Sequence, residues 1–125
     1  MMKVLAVMAG CACGGALRFW LTSWLSRGGG LPVGTLAVNG LGCFLIGLIF
    51  TILTERFDSL PEYAYLLLIT GFLGGLTTFS SFGNETVLLW RAHQYGLALL
   101  YVLLSNAGGL AAVWLGSVTA RFLNG

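Results

Sequence analysis

Charge is scarce in this chain. Asp, Glu, Lys and Arg make up 8% of its 125 residues, against about a quarter in an ordinary soluble domain. That excludes a soluble globular domain, and the apolar composition excludes a disordered tail. Histidine occurs once, as His93, beside Arg91 in a polar joint. There is no Ser/His/Asp arrangement, no His/Cys/acid cluster and no phosphate-binding loop, so the chain is not expected to be an enzyme. A net charge of +2 is too small to argue for a nucleic-acid partner. Cysteine is sparse too. Cys11 and Cys13, two positions apart, would point their sulfurs roughly 200° apart on a helix, which is poor geometry for one metal. With Cys43 they read as small apolar residues inside helices.

Apolar residues are abundant. The hydrophobic fraction is 58% and the mean hydropathy +0.92. A membrane span needs about 20 apolar residues, and four stretches supply them: 4–24, 33–54, 63–90 and 96–122. The first is too long for a cleavable signal and lacks a small-residue cleavage site. The expected fold is an all-α integral membrane protein, a single four-helix domain over residues 1–125. Small residues recur at helical spacing, at Gly10 and Gly14, Gly71 and Gly75, and Gly108, Ala112 and Gly116. Such faces let helices approach closely without saying which partner they meet.

Four spans put Lys3, Arg56 and Arg121 on one side of the membrane. Arg27 and Arg91 lie on the other, joined by Arg18 if its side chain snorkels. Orientation follows the count of Lys and Arg, and this count has no bias. Either the chain inserts both ways and forms an antiparallel dimer, or weaker cues select one orientation. An antiparallel pair would reproduce from two chains the inverted repeat that transporters build into one.

Residues 71–82, Gly-Phe-Leu-Gly-Gly-Leu-Thr-Thr-Phe-Ser-Ser-Phe, interrupt the third apolar stretch with glycines and hydroxyls. Glycine costs a helix about 1 kcal/mol relative to alanine. A broken helix in hydrocarbon survives only where protein or a polar cavity receives the freed backbone groups, and such breaks bind ions. Helix 3 is therefore expected to be broken mid-membrane. Phe79, Phe82 and Glu85 follow at spacings of three, with Ser80 and Ser81 beside them. The positive edges of two aromatic rings can hold a small anion, or the rings can simply pack. Glu85 can sit at a pore mouth or snorkel to the interface. On helix 2, Thr35, Asn39 and Cys43 share a face. The Asn39 amide offers donors without full charge, for an anion or for a neighbouring helix. Tyr101 and Ser105 sit four apart on helix 4, beside Asn106, as a polar track or as interhelical hydrogen bonds. Arg18 can draw anions into a vestibule or anchor the headgroup region.

Three motifs carry a resemblance. Gly14-Gly15-Ala16-Leu17-Arg18-Phe19, Gly34-Thr35-Leu36-Ala37-Val38-Asn39 and Gly74-Gly75-Leu76-Thr77-Thr78-Phe79-Ser80-Ser81-Phe82 resemble the signatures of the Fluc (CrcB) family of bacterial fluoride channels. The likeness runs the length of the chain. It implies a fluoride-selective passive channel in the bacterial plasma (inner) membrane, built as an antiparallel dual-topology homodimer with two pores. It implies a structural Na⁺ at the dimer centre, bound by the main-chain carbonyls of Gly74 and Thr77. Asn39, Phe79, Phe82, Ser80, Tyr101 and Ser105 would line the fluoride path, and Arg18, Thr35, Ser81 and Glu85 would support it. Ser81 stands where a threonine is common, which retains the hydroxyl. The implied role is to lower cytoplasmic fluoride. A passive pore can do this because an inside-negative potential supplies about 2.3 kcal/mol per charge per 100 mV. A proton-coupled drug antiporter of the small multidrug resistance type would need an acid deep in helix 1, and stretch 4–24 has none. A non-transporting membrane subunit would account for the glycine faces but not for the Phe and hydroxyl stripe.

Overall fold

The computed structural model describes residues 1–26, 28, 30–56 and 62–125. Arg27, counted above among the basic residues, lies outside them. Four helices are long and apolar enough to cross a membrane. They are α1 (Met2–Leu25), α2 (Val33–Arg56), α3 (Glu62–Arg91) and α4 (Tyr95–Asn124). No strand occurs among the described residues. Their outer surfaces suit lipid rather than water. Phe19, Leu110, Trp114 and Phe122 are among many large apolar side chains left exposed, far more than a water-soluble surface tolerates.

The helices associate in two tight pairs, each closed by glycines. A Cβ on Gly10 or Gly14 of α1 would collide with the carbonyls of Leu67 or Phe72 in α3, and Gly71 and Gly75 meet α1 in return. Between α2 and α4, Gly47 lies against the Val113 carbonyl and Gly116 against that of Phe44. Only hydrogen at these positions lets the backbones come this close. The pairs are joined through a small core of Val38, Ile69, Leu73 and Leu76, with Leu17, Leu21, Leu45 and Ile49 packed around it. A second cluster joins Leu89, Ala98 and Tyr101 to Leu36 and Phe82.

Polar groups tie the helix ends. Lys3 pairs with Glu62, joining the starts of α1 and α3. Arg121 Nε reaches Glu55 Oε1 at 3.1 Å and Asn124 Nδ2 reaches Glu55 Oε2 at 3.3 Å, joining the ends of α2 and α4. The opposite end is aromatic. Trp20 stacks on Trp24 with centroids 6.4 Å apart, and Trp90 meets Tyr95 edge-on at 4.6 Å. Such rings suit the membrane–water interface.

Neither α3 nor α4 is a uniform α-helix. In α3 a π-helical stretch, Tyr65–Leu73, leads into the turn Gly74–Leu76, and an α-helix runs over Phe79–Arg91. Between these parts Thr77 (φ −84°, ψ 155°) and Thr78 (φ −150°, ψ 114°) are extended. In α4 a π-helical turn, Leu104–Gly108, separates Tyr95–Leu103 from Gly109–Asn124. A sequence reading of α4 as one regular helix missed this turn. The wide i→i+5 spacing is rare, and it recurs at functional sites.

Candidate functional site

The two extended threonines leave backbone groups that the helix no longer satisfies, and two side chains, Asn39 and Arg18, take them up. Asn39 of α2 binds Thr78 at both ends of its amide. Its Nδ2 donates to the Thr78 carbonyl at 3.0 Å, and its Oδ1 accepts from the Thr78 N–H at 2.7 Å. Arg18 of α1 donates from Nη1 to the Thr77 carbonyl at 3.1 Å. Thr77 Oγ1 turns back to donate to the Leu73 carbonyl at 2.9 Å. Buried backbone groups need partners of this kind.

Thr78 then starts the next helix. Its Oγ1 accepts from the Ser81 N–H at 3.2 Å, donates to Ser81 Oγ at 3.0 Å, and lies 3.2 Å from Ser80 Oγ. This is an N-cap, which satisfies one of the amides a helix leaves free in its first turn. The helix dipole gives that end partial positive charge, which favours anions.

The start of Phe79–Arg91 faces a cleft of about 420 Å³, lined by Asn39, Gly74, Thr77, Phe79, Phe82 and Ser105 among others. A smaller space of about 190 Å³ adjoins Asn39, Gly40, Ser105 and Gly108. The two phenylalanines stand 5.4 Å apart between centroids and are tilted by 51°. Phe82 also packs on Tyr101 at 5.3 Å. Phe79 is 81% exposed and lines the cleft. The Ser105 hydroxyl lies buried with no hydrogen-bond partner among the described residues. Buried polar groups are rarely left so, and this one borders both spaces.

Above the phenylalanines Glu85 is held from two directions. Thr35 Oγ1 donates to Oε1 at 2.7 Å and the Tyr101 hydroxyl donates to Oε2 at 2.6 Å. Thr35 and Tyr101 are 3% and 0% exposed, so this bridge among α2, α3 and α4 is an interior one.

Asn39, Gly74, Thr77, Phe79, Phe82 and Ser105 thus gather at the large cleft, with Ser80 and Ser81 at its helix start. Glu85, Thr35 and Tyr101 form the adjoining bridge. Arg18 approaches from α1, its guanidinium turned inward onto Thr77; the sequence suggested a vestibule or an interfacial anchor and did not anticipate that bond. Two residues escaped sequence reasoning. Thr78 is the cap, and a threonine just before an apolar helical run is the signal that identifies one. Gly42, buried on α2, faces the Thr77 methyl, and no sequence pattern marks it.

The chain is similar to known proteins over most of its length. The family described as CrcB-like protein, Camphor Resistance (CrcB), matches residues 5–117. A protein of Roseiflexus sp. (strain RS-1) named fluoride-specific ion channel FluC is 44% identical over 124 residues, covering 98% of this chain and 99% of that protein. Its namesake in Solibacter usitatus is 47% identical over 122 residues, covering 96% and 99%. One from Coxiella burnetii (strain CbuK_Q154) is 43% identical, covering 98% and 100%. With its four spanning helices the chain is a multi-pass bacterial membrane protein, and it belongs to the CrcB-like family.

Proposed function

We propose that this chain is a fluoride-selective passive channel of the bacterial plasma membrane that lets fluoride leave the cytoplasm. It is not an enzyme; its relatives carry the name of an ion channel. The observation that carries the reading is the set of donors around the cleft. They are weak and uncharged: the unpartnered Ser105 hydroxyl, the second N–H of the Asn39 Nδ2 and the edges of Phe79 and Phe82. A conducted ion must bind well enough to enter and loosely enough to leave. Fluoride is small and strongly hydrated, so several such donors in series replace its water without trapping it. Arg18, a full positive charge, turns its Nη1 onto the Thr77 carbonyl.

On this reading the extended Thr77–Thr78 pair breaks helix 3 at membrane depth, and the site is completed by a second copy running the opposite way. The place of exposed Phe79 in a cleft that also holds Asn39, Thr77 and Ser105 supports this, because lipid would leave those polar groups without partners. A structural Na⁺ between the two copies would be held by the carbonyls of Gly74 and Thr77. The donor set fits, because hard cations take oxygen ligands. Gly74 is exposed at the cleft. Thr77 gives one carbonyl lone pair to Arg18 and keeps the other. The cation would supply charge and cross-linking at the interface.

Purified protein in liposomes tests the proposal. Fluoride efflux is expected, with chloride efflux absent, no proton coupling and strong loss in Asn39→Ala. Equal chloride flux, or proton-coupled export of organic cations, would overturn it.

A further inference from the structure

Gly42 is buried on α2, three residues beyond Asn39 and on the same face. The glycines that close the helix pairs meet backbone atoms of a neighbouring helix. Gly42 is different: a Cβ there would overlap one atom group only, the methyl Cγ2 of Thr77. Thr77 belongs to the extended pair, so a single methyl is seated directly on α2 where that helix passes the end of the turn Gly74–Leu76.

That methyl is not free to swing aside. Thr77 carries two heavy atoms on Cβ, which stiffens χ1, and its Oγ1 is committed to the Leu73 carbonyl at 2.9 Å. Rotation away from a new Cβ would break that bond. Its carbonyl is fixed by Arg18 from the other side, and the next residue is fixed by Asn39 at both backbone groups. The separation of α2 from the extended pair is therefore set by two opposed contacts. Asn39 draws Thr78 toward the helix, and the Gly42–methyl seat limits how close Thr77 can come.

We propose that Gly42 is a positioning residue for the ion path. Its missing Cβ sets the height of the Thr77–Thr78 pair, so that Asn39 reaches both groups of Thr78 and the first turn of Phe79–Arg91 opens on the cleft. The transport consequence rests on the fluoride-channel reading, whereas the placement does not.

The test is a cycle of Gly42→Ala, Thr77→Ser and the double variant. Serine keeps the Oγ1 bond to Leu73 and removes the methyl. Two readouts are taken on purified, reconstituted protein: fluoride efflux, and hydrogen exchange at the amides of residues 77–79, which include the N–H held by Asn39. Gly42→Ala is expected to slow efflux about tenfold or more, since sites of this kind tolerate only about 0.5 Å of misplacement. It should speed exchange at those amides about tenfold by loosening the Asn39 clamp. Thr77→Ser alone sets the reference level of the cycle, and the double variant should return both readouts to that level. A general packing fault would not be repaired by removing one methyl from Thr77. If Gly42→Ala fails to fold, the double variant must fold and conduct, and its failure overturns the proposal. Wild-type efflux and exchange in Gly42→Ala also overturn it. A wild-type protein that moves no fluoride yet displays the exchange pattern sinks the channel reading and leaves the positioning role standing.

Discussion

Asn39 holds Thr78 at both backbone groups, and its proposed second role as an anion donor is testable by changing a single atom. Asn39→Asp keeps the shape and the acceptor for the Thr78 N–H but puts a second oxygen against the Thr78 carbonyl. It also places a negative charge on the proposed anion path. The loss of one buried bond costs about 1–3 kcal/mol, so a lower melting temperature is expected together with near-complete loss of fluoride efflux. Asn39→Ala should destabilise comparably; efflux retained in either variant would argue that the amide is only structural. Tyr101→Phe removes the donor to Glu85 Oε2 while keeping the ring against Phe82. Bonds to charged groups contribute about 1.5–3 kcal/mol. Unfolding in denaturing detergent at correspondingly lower concentration is the expected result, and an unchanged midpoint would mean Thr35 alone holds the carboxylate. The sequence marked Asn39, Glu85 and Tyr101 as polar residues in apolar surroundings, because burying them in a membrane demands a reason. Their partners were not legible, since the bonds join residues 39, 50 and 16 positions apart and depend on how helices are paired.

At the level of elements the chain is governed by where glycine permits contact and where the helix changes its winding. The four apolar stretches fall inside the four long helices because hydropathy alone specifies a helix in lipid. The glycine faces were legible as faces, but their pairing of α1 with α3 and α2 with α4 was not, since small residues carry no label for their partner. The π-helical stretches Tyr65–Leu73 and Leu104–Gly108 were invisible, because one extra residue per turn leaves no mark on an all-apolar pattern. Two substitutions probe this level. Gly14→Leu places a side chain where the Phe72 carbonyl stands and should separate α1 from α3, abolishing recovery of folded protein. By contrast Gly15→Leu, whose added Cβ meets nothing within 4 Å, should be tolerated; equal yields of the two would refute the glycine zipper. Thr78→Val keeps the shape of the side chain but removes the oxygen that caps Phe79–Arg91. A cost of about 1 kcal/mol is expected, with Thr78→Ser restoring it in a thermal melt.

At the scale of the whole molecule the proposed antiparallel dimer can be tested from the placement of the open cleft and the exposed Phe79. Lys3, Glu62, Glu55 and Arg121 mark one end of the bundle through their cross-helix pairs, while Trp20, Trp24, Trp90 and Tyr95 mark the other. Gly74 lies between these ends, exposed at the cleft. An antiparallel dimer brings two copies of a mid-helix position together and sends the two copies of an end position to opposite faces of the membrane. A parallel dimer brings both kinds together. Single cysteines at Gly74 and at Lys3, introduced after replacing Cys11, Cys13 and Cys43 with alanine, therefore separate the arrangements. Gly74→Cys is expected to cross-link to itself in the membrane and Lys3→Cys is not. On the proposed dual topology a membrane-impermeant thiol reagent should label Lys3→Cys from both sides in comparable amounts, because the counts of Lys and Arg are balanced. Adding two lysines beyond Arg121 should bias the labelling to one side and abolish the Gly74 cross-link, because a population with a single orientation has no antiparallel partner. Co-expression with a variant biased the opposite way should restore it. Cross-linking at Lys3, or a Gly74 cross-link that survives the added charge, would leave the antiparallel arrangement without support.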